Sequence, residues 1–101
     1  KVNISGNYIS DKKEGTWIYL TETGSKLRVE NYKNGRPEGK WETFYKEGPP
    51  ESIDLYKNGK KEGRCKYYSI TGELLYDVVF KDNKIVKTMK DKRNINTAPK
   101  Q

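Results

Sequence analysis

Tyr32-Lys33-Asn34-Gly35-Arg36-Pro37-Glu38-Gly39-Lys40-Trp41 and Tyr56-Lys57-Asn58-Gly59-Lys60-Lys61-Glu62-Gly63 are two copies of one pattern, set 24 residues apart. The same step runs outward in both directions without a gap. Gly15, Gly39 and Gly63 keep it, and so do the acids before them, Glu14, Glu38 and Glu62. Two residues after each Gly stand Trp17, Trp41 and Cys65. Nine after each come Gly24, Gly48 and Gly72, and an aromatic ring closes each unit at Tyr8, Tyr32, Tyr56 and Phe80. A fixed period of this length is the signature of a repeat architecture.

Each unit reads as a hairpin. Asn-Gly between strand-like runs is the strongest short-range hairpin signal, because a type I′ turn needs φ > 0 at both central residues. Gly takes that conformation without a Cβ clash and Asn tolerates it. Asn34-Gly35 and Asn58-Gly59 fit directly, while Asp82-Asn83 and Ser10-Asp11 are weaker versions. A second turn is expected at Gly24, Gly48 and Gly72, stiffened in the middle unit by Gly48-Pro49-Pro50. Strands are predicted at about 16–21, 26–33, 40–46, 51–57, 64–69 and 74–81, with fragments near 3–9 and 84–88 completing the ends. No stretch has helical apolar spacing.

A lone hairpin cannot bury its apolar face, so the units must stack and share their rings. The expectation is an all-β, elongated antiparallel meander over residues 1–88, with units at about 8–31, 32–55 and 56–79 between terminal caps. Residues 89–101 read as a flexible basic tail.

Composition agrees with a lean repeat domain. Only 32% of the 101 residues are hydrophobic and 35% are charged, yet eight Tyr, two Trp and two Phe are present. Disordered chains are poor in aromatics. The net charge of +7 is uneven. Residues 1–80 hold 14 basic and 12 acidic side chains, whereas residues 81–101 hold seven and two. The body therefore lacks the concentrated basic charge of a nucleic-acid-binding domain, and nucleic acid is not an expected partner. No run of residues is long and apolar enough for a membrane span. The first residue is Lys1 rather than Met, which leads to the expectation that something upstream was removed. Were that a signal peptide, the protein would work in a periplasm or envelope, and otherwise in the cytoplasm.

The two quoted stretches resemble MORN-variant repeats, similar to those of bacterial proteins of the YwqK family of putative antitoxins. The likeness covers about residues 6–88. It implies a hairpin stack that mediates protein–protein contact, and an antitoxin-like role in neutralising a partner. MORN repeats in the wider sense imply contact with phospholipid. Cys65, Thr43 and the Gly48-Pro49-Pro50 corner depart from the pattern.

Chemistry is sparse. The absence of His removes Ser–His and Cys–His activation and the commonest metal ligand. Cys65 occupies the ring position, where a small apolar filler is expected. The Glu14, Glu38, Glu62 series reads as solvated turn residues paired with Lys12, Lys13, Arg36, Lys60 and Lys61, not as a metal ladder. No catalytic residue, cofactor or metal is expected. The expected function is a non-enzymatic module that binds a protein partner through outward rings, drawn from Tyr19, Trp41, Tyr45, Tyr67 and Tyr68. The alternative is a peripheral module that meets anionic lipid through its turn lysines and tail. Open edge strands are expected at both ends, with the lysines near 84–88 guarding one of them.

Overall fold

A computed structural model of the chain describes residues 2–46 and 48–92. They form one antiparallel sheet in which spatial order follows chain order. The main strands are β1 (Asn3–Ile9), β2 (Lys12–Leu20), β3 (Lys26–Lys33), β5 (Gly39–Phe44), β6 (Pro50–Lys57), β8 (Gly63–Tyr68), β9 (Leu74–Lys81) and β10 (Lys84–Asp91). Two short pieces, β4 (Arg36–Pro37) and β7 (Lys60–Lys61), lie beside β3 and β6. The meander of hairpins is thus as expected, and both terminal fragments are full strands.

The four turns on one edge have φ > 0 at both central residues. Asn34 (53°) with Gly35 (79°) and Asn58 (52°) with Gly59 (84°) do so, and so do Ser10 (51°) with Asp11 (65°) and Asp82 (51°) with Asn83 (68°). The handedness of the type I′ turn is imposed even where Gly is missing. On the other edge, Gly24 and Gly72 carry φ of 93° and 95°. Their loops close on a hydroxyl: Thr21 Oγ1 accepts the Ser25 N–H at 3.1 Å, and Ser69 Oγ accepts the Glu73 N–H at 3.0 Å. At the Gly48-Pro49-Pro50 corner the Gly48 N–H donates to the Tyr45 carbonyl at 3.0 Å.

Each unit contains a wide bulge. Between Val29↔Glu42 and Tyr32↔Pro37, β3 contributes two residues and the opposite chain four, Glu38 to Trp41. Glu62 to Cys65 repeat this opposite Asp54 and Leu55. Opposite β1, only Gly6 faces Gly15, Thr16 and Trp17. The conserved-step glycines carry φ of 77°, 91° and 102° at Gly15, Gly39 and Gly63, a conformation other residues resist. In β10 the same positions are Val86 and Lys87, and the excess splits into two separate irregularities.

Alternation sorts side chains onto two faces. Tyr19, Arg28, Thr43, Ser52, Tyr67 and Tyr76 lie directly opposite one another across successive strands. Trp17, Glu30, Trp41, Asp54, Cys65 and Val78 share that face two residues along each strand. It holds the core: Trp17, Cys65, Tyr76 and Val78 are buried. A column of rings runs through it, with centroids 5.0 Å apart for Tyr8–Trp17, 6.4 Å for Trp17–Tyr32, 5.2 Å for Tyr32–Trp41 and 5.1 Å for Trp41–Tyr56. Mostly edge-on contacts at this range are the favoured geometry of aromatic pairs. Trp17 lies directly on Gly6, where an added Cβ would sit 2.1 Å from the indole.

The column changes at Cys65. Trp17 and Trp41 face Glu30 and Asp54 across the ladder, whereas Cys65 faces Val78. The third unit trades a Trp–carboxylate pair for a Cys–Val pair packed with Tyr67, Tyr76 and Phe80. Cys65 is fully buried, as a filler should be.

The boundary at residue 88 needs correction. β10 continues through Asp91, Lys92 N–H donates to the Leu75 carbonyl at 2.7 Å, and the Lys92 ammonium pairs with Glu73. Ladder bonds to β9 hold these residues despite their irregular sequence. The remainder of the expected tail, 93–101, lies outside the described residues.

Candidate functional site

The repeat-step acids do not act as solvated counter-ions. Glu14 Oε1 accepts the Asn34 N–H at 2.9 Å, Glu38 Oε1 accepts the Asn58 N–H at 2.8 Å, and Glu62 Oε1 accepts the Asp82 N–H at 3.2 Å. The bulge is what aims each carboxylate at the next turn. A backbone bond runs beside each one. Gly35 N–H donates to the Lys13 carbonyl and Gly59 N–H to the Pro37 carbonyl, both at 2.9 Å, and Asn83 N–H donates to the Lys61 carbonyl at 3.1 Å. The second, third and fourth type I′ turns therefore each give both central N–H groups to the unit before them. The turns form a continuous edge of the molecule.

This arrangement leaves cations behind. Lys12, Arg36, Lys60 and Lys84 follow the turns at the repeat step, and Lys33, Lys57 and Lys81 precede them. All seven are exposed. None forms an ion pair with a described residue. The Lys12 stem packs on Gly35 and the Arg36 stem on Gly59, which props the heads outward along the edge. Two open hollows lie between successive turns. One of about 350 Å³ is lined by Lys12, Lys33, Asn34, Arg36, Glu38 and Asn58, and one of about 630 Å³ by Arg36, Lys57, Asn58, Lys60, Glu62 and Asp82. Strands at roughly 4.8 Å separation put successive units on the order of 10 Å apart. The result is a double row of basic groups, suited to a carboxylate- or phosphate-bearing surface.

Of the rings expected to meet a partner, Tyr19, Trp41, Tyr45 and Tyr67 also make contacts within the fold, and all five are half-buried. Trp41 sits inside the ring column and its Nε1 donates to the Asn31 carbonyl at 2.8 Å. Tyr67 stacks on Tyr76, its hydroxyl donates to Asp54 at 3.0 Å, and Lys61 donates to that hydroxyl at 3.3 Å. Burial and the neighbouring Asp54 carboxylate raise the Tyr67 phenol above its ordinary value. Tyr45 donates to the Tyr68 carbonyl at 2.6 Å. Tyr19 lies under Arg28, whose guanidinium carbon is 4.3 Å from the ring centre. The structure brings Tyr19, Trp41 and Tyr67 onto the ring face, with Tyr68 on the other.

Charged groups elsewhere are mostly internal fasteners. Arg64 grips Asp77 through two bonds of 2.8 Å, and its guanidinium holds the buried Asp77 carboxyl below the ordinary range. Glu30, also buried, bonds Arg28 at 2.6 Å and accepts the Tyr32 hydroxyl at 2.8 Å. Burial pushes the Cys65 thiol up to about 11, so it is no thiolate nucleophile at neutral pH. Among the described residues no three Cys, Asp or Glu side chains converge as a metal site. The signal that could have revealed the turn edge was the basic residue recurring at 12, 36, 60 and 84.

No protein-family model matches the chain, and no curated protein matches it significantly.

Proposed function

We propose that the chain is a non-catalytic docking module whose stacked turns hold an acidic protein surface. The observation that carries this reading is the double row of seven exposed cations that form no ion pair with a described residue, beside three carboxylates engaged by backbone N–H groups. Exposed basic groups spaced on a stacked frame steer and orient an acidic partner. The lack of His and the burial of the single thiol support the non-catalytic part.

The MORN-variant kinship, and the antitoxin-like role that accompanies it, belong to the same proposal. A basic edge suits a target with an acidic surface. It is a poor match for the basic cleft of a nuclease. A second reading is contact with anionic lipid. It is favoured by Ile9, Ile85 and Val86, which are exposed beside the basic edge near the first and last turns.

The test is capture from lysate of the source organism at physiological salt. The baits are the whole chain and its Arg36→Glu/Lys60→Glu variant, with sedimentation on vesicles containing anionic lipid run in parallel. Protein capture lost on charge reversal supports the docking reading. Capture that ignores the reversal moves the site off the turn edge. Vesicle binding without protein capture favours the lipid reading.

A further inference from the structure

The two edges of the sheet differ in chemistry. β10 carries Lys84, Lys87 and Lys90, the kind of charge that blocks strand addition. β1, Asn-Ile-Ser-Gly-Asn-Tyr-Ile, has no charged residue and is exposed along its whole length. The extra residues of the first bulge belong to β2, so β1 keeps regular alternation. Ile4 and Tyr8 lie on the ring face, opposite Tyr19 and Lys13. Tyr8 ends the ring column and is 62% exposed, against 6% for its neighbour Trp17, and Ile4 is 55% exposed.

We infer that β1 is a self-pairing edge that joins two copies of this chain into a twofold dimer with one continuous sheet. Antiparallel pairing centred on Gly6 sets Ile4 against the second copy's Tyr8, Ser5 against its Asn7 and Asn3 against its Ile9. This register overlaps the full strand and keeps the ring faces of both copies on one side. It places an aliphatic side chain on each uncovered ring, a favourable cross-strand pair. No charge opposes another. The alternatives lack this match. Two β10 edges would set lysines against lysines. A β10 edge against β1 would generate an open chain of copies, and Val86 offers no carboxylate to the Ser10 turn where Glu14, Glu38 and Glu62 each serve the next turn.

The experiment is light scattering and sedimentation on the whole chain from about 1 to about 500 μM, a range bracketing a weak edge contact. Twice the 11.8 kDa chain mass is expected at the upper end. Ile4→Lys, which keeps the fold by circular dichroism, is expected to weaken dimerisation at least tenfold. Met89→Lys, on the opposite edge, leaves it unchanged. The Ser5→Cys/Asn7→Cys variant, oxidised in air, runs as a covalent dimer in this register. A monomer throughout the range overturns the inference. So does association that Met89→Lys abolishes, or that continues past the dimer.

Discussion

The carboxylate of Glu38 accepts the backbone N–H of Asn58 at 2.8 Å, joining the bulge of one unit to the turn of the next. The contact spans twenty residues of chain and recurs from Glu14 to Asn34 and from Glu62 to Asp82. A charged acceptor on a turn N–H is worth about 1.5–3 kcal/mol. Glu38→Ala is expected to remove about 2 kcal/mol, roughly a 10 °C fall in melting temperature for a domain of this size. Glu38→Gln, which keeps an acceptor, should cost about half as much. Equal melting of all three proteins would show that the carboxylate contributes nothing to the stack.

Gly6→Ala drives a methyl group into Trp17, where the nearest indole carbon stands 2.1 Å from the new Cβ. Overpacking of this kind costs about 1–3 kcal/mol. Gly24→Ala has open space around it but φ of 93°, so it should lose only the backbone cost of about 1 kcal/mol. Indole fluorescence separates them. Gly6→Ala should shift the Trp17 emission to the red, and Gly24→Ala should leave it in place.

The two tryptophans should respond differently to one substitution. Trp41 Nε1 donates to the Asn31 carbonyl, whereas the buried Trp17 Nε1 has no acceptor among the described residues. Trp41→Phe loses a hydrogen bond as well as ring area, and Trp17→Phe removes an unpaired donor. Trp17→Phe should be the milder change by about 1 kcal/mol in chemical denaturation. The reverse order would mean that ring packing outweighs the bond.

Alkaline pH should loosen the third unit. The Cys65 thiol ionises near 9.0 when free and at about 11 in the fold, because burial favours its neutral form. Between those values unfolding releases a proton, so stability falls as pH rises. The full contribution is present below pH 9, and about 2–3 kcal/mol is lost by pH 11. Burial also raises the phenols of Tyr32, Tyr56 and Tyr67, which continues the loss at higher pH. Melting followed from pH 7 to 11 should show an earlier decline in the native chain than in Cys65→Ala. A thiol reagent at pH 7 should label Cys65 only on unfolding.

Much of the fold was legible because turns and periods are local facts. Asn34-Gly35 declares its φ angles and the 24-residue step declares the stack. The misread parts depend on direction. Glu38 beside Arg36 looks like a surface ion pair until the Gly39 bulge turns its carboxylate toward Asn58. Gly6 gives no local signal, since its need arises from an indole eleven residues on. No local pattern shows that the hydroxyls of Tyr45 and Tyr67 are tethered to the Tyr68 carbonyl and to Asp54. The cations of the turn edge were visible one by one. That none of them pairs with a described carboxylate was not, because it follows from what the glutamates do instead.

Spatial order that copies chain order has a mechanical consequence. Tension between the first and last strands falls along the inter-strand bonds and reaches one ladder at a time. The sheet should peel from an end at low force, in steps of one hairpin. Each released hairpin can re-close on the unit beside it, so the molecule would behave as an extensible spring rather than a brittle link.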